Sequence, residues 1–359
     1  MNKIERLYKE WQALQPVKPE LQRRMDQSFM IDFNYNSNHL EGNTLTYGQT
    51  KLLLLFGKVK GDALMRDCEE MKAHNVGLEM MKTEAMDKGR PLSENFIREL
   101  NRTILAGDFY KISHNGEYRY KIHTGVYKTR PNSVITPSGE LFDYASPEET
   151  PSLMADLVAW YREEERKAVL SPVELAALFH YRYIRIHPFE DGNGRIARLL
   201  VNYILLRHAY PMIVILTSDR KNYLETLGKC DETTGREPYK GANATLEQIE
   251  PFVEYITYYV ERKLQFAKEL ISGITLDISE TEVKAENPSE LGVRLGVKLG
   301  VNQTEIIKLI QSNKRITIAE MSKIIRITEY AVLNNLNKLK SLGIVERVGS
   351  DKTGYWRIR

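Results

Sequence analysis

The chain has 359 residues, 42% of them hydrophobic and 28% charged, with a formal net charge of +3. These globular values exclude a largely disordered chain, and the length implies two or three folded units. Cys68 and Cys230 stand far apart with no CxxC companion, which disfavours a disulfide framework or a structural zinc site. The start is charged and amphipathic, and no run reaches about 18 apolar residues, so a soluble, cytoplasmic protein with no membrane contact is expected.

Residues 3–36 read as helix interrupted at Pro16 and Pro19. Ser37 and Glu41, four apart, fall on one helix face, and Gly42 suits the stop of that helix. Thr46 and Gln49 have the spacing of a capping box opening the next helix. A long periodic helix is expected over 62–88, stopped by Gly89, and Ser93 caps another through Phe96, Ile97, Leu100 and Ile104.

From Gly107 to Pro151 the chain is rich in Gly, Pro, Asn, Tyr and Thr, and 129–142 reads as one short hairpin turning at 137–139. Two roles are open for it: adding a strand to an extended peptide, or shielding the core. Helices resume at 151–167, then at Ser171-Pro-Val-Glu174, a capping box with proline at the first helical position, and run to His187.

His187-Pro-Phe-Glu-Asp-Gly-Asn-Gly-Arg-Ile-Ala-Arg198 then precedes an apolar helix to Arg207. Gly192, Asn193 and Gly194 permit a backbone whose N–H groups converge on an anion at a helix N-terminus, and Arg195 and Arg198 add forked donors for phosphate. His187 is the residue of this segment able to act as a neutral base, and Asp191, more than Glu190, is the hard oxygen ligand for Mg²⁺. There is no Walker lysine, and no serine or cysteine nucleophile lies in the segment. Transfer from a polyphosphate onto a second substrate's hydroxyl is the natural reaction.

HPFEDGNGRIAR resembles the Fic-family signature HPFx[DE]GNGRxxR at every defined position, with agreement in the surrounding elements over about residues 20–270. The resemblance implies a mainly α fold: an all-helical Fic core with a β-hairpin flap near 126–142, including Val134, Ile135 and Thr136, which positions a target. It implies transfer of AMP from ATP to a Ser, Thr or Tyr hydroxyl of a target protein or of the chain itself. His187 would be the general base and Asp191 the Mg²⁺ residue. Gly192, Asn193 and Gly194 would grip phosphate, Arg195 and Arg198 would stabilise the leaving pyrophosphate, and Tyr223 would take part in recognising the nucleotide's base. Ser37-Asn-His-Leu-Glu41-Gly42-Asn43 resembles the family's inhibitory [ST]xxxE[GN] motif, which implies that Glu41 pairs with Arg198 and blocks productive nucleotide. Removal of AMP with the help of Glu41 is the alternative activity.

Residues 276–303 are polar and then carry a Leu-Gly-Val repeat, read as a linker. Residues 302–359 hold eleven Lys+Arg against five Asp+Glu, so the basic excess sits in the tail. Three helical patterns and a final hairpin over 304–359 give the layout of a winged helix-turn-helix, a small α+β domain. It could bind DNA, making the chain a regulator with a nucleotide-sensing core, or dock protein. The expected organisation is a helical region at 1–110 carrying the 37–43 motif, a core at 111–275, the linker, and the 304–359 domain, with a homodimer an open alternative.

Overall fold

The computed structural model describes residues 3–113, 116–135, 141–273, 301–325, 327–341, 344–348 and 354–358. The expected linker, Thr136 and the 137–139 turn fall outside them. Contacts divide the chain into two compact units, Met1–Leu45 with Thr50–Thr281, and Thr46–Gln49 with Glu282–Arg359.

In the larger unit, α1 (Lys3–Ala13) buries Leu7 and Trp11, and the Trp11 indole N–H donates to the Ala209 carbonyl at 3.1 Å. Helix α2 (Pro19–His39) begins on a proline, which supplies a helical φ where no intrahelical N–H is needed. Its second half is unusual, because Asn34, Asn36, Ser37 and Asn38 are buried there. Most of their polar atoms find partners: Asn38 Nδ2 donates to the Asn34 carbonyl at 2.8 Å and Asn36 Oδ1 accepts from the Thr217 N–H at 2.9 Å, while Asn38 Oδ1 is buried without a hydrogen bond. Glu41 lies beyond the helix, in the turn closed by Gly42 at φ +93. It therefore shares the end of α2 with Ser37 without being a helical residue.

The Thr46–Gln49 box is made, the Gln49 N–H donating to Thr46 Oγ1 at 3.2 Å and the Thr46 N–H to Gln49 Oε1 at 2.9 Å, and it opens α3 (Tyr47–Phe56). Helix α4 (Met65–Met86) ends before Gly89, where Asp87 leaves helical dihedrals and its carboxylate accepts the Gly89 N–H. Ser93 Oγ accepts the Phe96 N–H at the start of α5 (Glu94–Ile104).

Two hairpins follow, one more than expected. Strand β1 (Phe109–Ile112) pairs antiparallel with β2 (Arg119–Ile122), Lys111 opposite Tyr120. Strand β1 mixes aromatic and basic residues without apolar alternation, whereas β2 alternates as Arg119, Tyr120, Lys121, Ile122 over only four residues. The expected hairpin is formed by β3 (Val134–Ile135) and β4 (Leu141–Phe142), Val134 opposite Phe142.

Helices α6 (Thr150–Lys167), α7 (Pro172–Ile186), α8 (Asn193–Arg207), α9 (Arg220–Thr234), α10 (Pro238–Ala242) and α11 (Glu250–Ile271) complete the unit. The Ser171–Glu174 capping box starts α7 as expected. Helix α8 packs against α7 and α4 at the centre and is buried on nearly every side, its Arg195, Arg198, Asn202 and Arg207 included. Residues from α1 and α2 share one hydrophobic core with α7, α8 and α11, so the boundary expected at 110 does not coincide with a break in packing.

The smaller unit holds α12 (Val301–Ser312), α13 (Ile318–Ile325) and α14 (Glu329–Ser341), then antiparallel β5 (Val345–Val348) and β6 (Tyr355–Ile358). Ile306, Ile310, Met321, Val332, Leu336 and Trp356 form its own core. The Trp356 indole N–H donates to the Ile316 carbonyl at 2.9 Å and ties the hairpin to the helices.

Candidate active site

Helix α7 ends by throwing His187 into the left-handed region at φ +52, an uncommon and strained conformation for a residue with a Cβ. The turn sets the imidazole flat against Tyr144, ring centroids 4.0 Å apart at 16°. The loop backbone behind it is strapped from outside. Lys128 donates from its N–H to the Pro188 carbonyl and from Nζ to the Ile186 carbonyl, and Asn132 Nδ2 donates to the carbonyls of His187 and Phe189. Burial, with the Lys128 charge nearby, lowers the His187 pKa to about 4, so the ring is a neutral base at physiological pH.

Gly192 is the residue before α8 and has φ +82; a Cβ there would approach Asn101 Nδ2 at 3.1 Å. Gly194 lies in the first turn, where a Cβ would meet Glu41 Oε1 at 2.2 Å. The Glu41 carboxylate therefore rests on the N-terminal turn of α8, where free N–H groups and the helix dipole favour an anion. Arg198 Nη2 donates to Glu41 Oε1 at 2.7 Å and to the Ser37 carbonyl at 2.8 Å, while its Nε donates to Ser37 Oγ at 3.1 Å. Burial pushes the Glu41 carboxyl upward, but Arg198 and then Arg195 prevail and hold it below the usual carboxylate value. The Glu41 side chain stays 38% exposed, against 3% for Arg198.

Asp191 faces the cleft with both oxygens occupied by cations: Oδ1 accepts from Arg195 Nη2 at 3.0 Å, and Oδ2 lies 2.5 Å from Lys111 Nζ. Burial alone would raise its pKa; Arg195 and Lys111 lower it. Glu190 is engaged instead by Thr129 Oγ1 at 3.1 Å. Among the described residues no group of three or more His, Cys, Asp or Glu side chains is placed to hold a metal. A Mg²⁺ ion bound largely through phosphate oxygens needs only one or two carboxylates, a demand that Asp191 alone can meet.

Asn193 lines the cleft, and its amide donates to the Phe189 carbonyl at 2.7 Å and accepts the Phe189 N–H at 3.0 Å, closing the loop on itself. Tyr223 is buried, and its hydroxyl is bonded to His180 Nε2 at 2.8 Å, which makes it part of the cleft wall beneath Arg198. Burial also lowers His180, to about 3, so it is a neutral partner. Lys111, Asn101, Lys128, Asn132 and Tyr144 were not anticipated; each belongs to a segment with no motif of its own. The cleft that gathers these groups has a volume of about 1490 Å³ and is lined by His187, Asp191, Gly192, Gly194, Arg195 and Arg198 among others.

A family model described as Fic/DOC matches residues 91–205. A crystal structure of a Fic-domain-containing signalling protein from Bacteroides thetaiotaomicron is 59% identical and superposes with a TM-score of 0.73, covering 78% of this chain and 99% of that one. The chain belongs to the Fic/DOC family. Its helical core also resembles Fic-1 (residues 134–508) of Caenorhabditis elegans, at 25% identity and a TM-score of 0.60 over 76% of this chain and 73% of that one. Protein adenylyltransferase Fic of Drosophila melanogaster is 28% identical over 275 residues, 76% of this chain and 48% of that protein. Protein adenylyltransferase fic-1 of C. elegans is 30% identical over 246 residues, 68% and 42% respectively. The chain thus spans less than half the length of these adenylyltransferases. A Fic family protein from Desulfovibrio desulfuricans, 20% identical, has a similar fold, with a TM-score of 0.53 and coverage of 96% of that chain.

Proposed function

We propose that the chain is a protein adenylyltransferase that transfers AMP from ATP to a protein hydroxyl and is held in check by its own Glu41. One observation carries this reading: a neutral imidazole stands beside an anion-binding helix N-terminus that the chain fills with its own carboxylate. The names of its relatives supply the nucleotide and the reaction class.

In the reaction, the target hydroxyl oxygen forms a bond to the α-phosphorus while the bond from that phosphorus to the pyrophosphate oxygen breaks. His187 takes the hydroxyl proton, a role worth roughly 10²- to 10⁴-fold in enzymes generally. Pyrophosphate leaves with the bonding electrons, and Arg195 and Arg198 offset its growing charge, fixed donors at the point of charge development being a principal source of catalysis. Asp191 would hold Mg²⁺, which neutralises phosphate charge. Asn193 acts by fixing the loop, and the β3–β4 edge at Val134 and Ile135 offers backbone to an extended target segment.

Glu41 inhibits by occupying the anion position over Gly194 and by engaging Arg198, so an entering phosphate meets a negative charge and a committed arginine. We read 304–359 as a winged helix-turn-helix on the order of its elements, with Asn334, Asn337 and Lys340 of α14 exposed.

The test is label transfer from α-labelled ATP onto the protein or a target in cognate lysate. Glu41→Gly is expected to label more strongly than the wild type, and His187→Ala added to it to abolish labelling. Equal labelling in all three contradicts the reading, and Glu41-dependent release of AMP from a pre-modified target would assign removal instead.

A further inference from the structure

We propose that Lys111 is a nucleotide-positioning residue whose ammonium receives the terminal phosphates of the incoming nucleoside triphosphate and thereby distinguishes it from a monophosphate. The inference rests on the adenylyl-transfer reading above and extends it to a hairpin outside the signature.

Three cations surround Asp191 and the start of α8. Arg195 and Arg198 are 5% and 3% exposed and already bonded, Arg195 to Asp191 and Arg198 to Ser37 and Glu41. Lys111 is 39% exposed and holds Asp191 Oδ2 through a flexible four-carbon stem. It is the one of the three that can swing from carboxylate to phosphate without leaving a buried charge unpaired. Arg66, at another part of the same cleft, faces Asp67 at 3.1 Å and Glu70 at 3.8 Å, so its charge is already balanced by carboxylates.

The hairpin is also fastened where such a role needs it to be. Asn101 on α5 accepts the Gly125 N–H through Oδ1 at 2.9 Å and donates through Nδ2 to the Asp191 carbonyl at 2.9 Å. Asp108, just before β1, accepts the Thr124 N–H at 2.9 Å, just after β2. The two ends of the β1–β2 hairpin are thus closed on each other, and one asparagine ties their exit to the backbone of Asp191. This registers Lys111 to the phosphate end of the cleft. A lysine that only tethered the hairpin would affect every nucleotide alike; one that receives terminal phosphates would affect only those that possess them.

The test is calorimetric titration with ATP and with AMP, using the full chain carrying Glu41→Gly and His187→Ala so that the anion position is free and no turnover occurs. Adding Lys111→Met is expected to weaken ATP about tenfold, the scale of a charge-assisted bond to phosphate, and to leave AMP within about twofold. Lys111→Arg should restore most of the loss. Equal weakening of both nucleotides, or of neither, overturns the role of Lys111 while leaving the transfer reading intact. A Glu41→Gly, His187→Ala parent that binds no ATP overturns the transfer reading and the inference with it.

Discussion

Glu41 and Arg198 are separated by 157 positions in the chain and by 2.7 Å in space. The guanidinium is buried and also bonded to Ser37, so the pair fixes the end of α2 onto the first turns of α8. Whatever holds the turn after α2 in place therefore sets how firmly the anion position is covered.

That turn is clasped by Asp67. The Asp67 carboxylate accepts the Thr44 N–H at 2.8 Å and the Thr44 hydroxyl, and its carbonyl accepts Asn43 Nδ2 at 3.0 Å. Asp67→Ala should loosen Glu41 and raise AMP labelling roughly fivefold over the wild type, the equivalent of about 1 kcal/mol of lost restraint, while staying below Glu41→Gly. Thr44→Val, which removes only the hydroxyl donor, should act in the same direction and more weakly. Labelling that remains at the wild-type level in both variants would show that the clasp has no share in inhibition.

Asn193 gives a prediction about loop integrity. Asn193→Ala removes both bonds to the Phe189 peptide; the Phe189 carbonyl keeps its bond from Asn132 Nδ2, but the buried Phe189 N–H loses its acceptor, which should destabilise the larger unit by about 2 kcal/mol in urea unfolding. A direct phosphate ligand would behave differently: stability would hold and only nucleotide affinity would fall. Asn193→Asp should not rescue, because it sets an oxygen against the Phe189 carbonyl.

Acidification probes the buried histidines. His180 and His74 are both fully buried, and burial holds both below the ordinary histidine pKa, His180 at about 3. Between the unfolded value near 6.5 and those depressed values, the unfolded chain takes up protons that the folded chain refuses. Stability must then fall as pH drops, by up to about 1.4 kcal/mol per pH unit for each such histidine. The urea midpoint at pH 5 should lie below that at pH 7.5, and a midpoint that rises on acidification contradicts the assignment. In the Glu41→Gly protein, the acid limb of the transfer rate should fall well below pH 6.5, because burial and the Lys128 charge lower His187.

The local features of this chain were legible in its sequence. The Thr46–Gln49 and Ser171–Glu174 boxes and the Ser93 cap form as read, since each is a contact within three or four positions that the residue types alone decide. The segment from His187 to Arg198 announced a base, a glycine turn and two arginines for the same reason: everything it needs to be recognised is contiguous. The Glu41–Arg198 contact was expected through family resemblance, and no spacing rule spans it.

Tertiary structure decided the rest. The first hairpin is weakly marked, because β1 lacks apolar alternation and that of β2 spans only four residues. Lys111, Asn101, Lys128, Asn132 and Tyr144 come from four separate segments, and what brings them to the loop is the packing of α5, the two hairpins and α7 around α8. The Asn193 amide is bonded to the Phe189 peptide, a contact that its place between two glycines does not announce. A sequence specifies that an amide is available there, whereas the fold determines whether it meets a ligand or the peptide four residues before it.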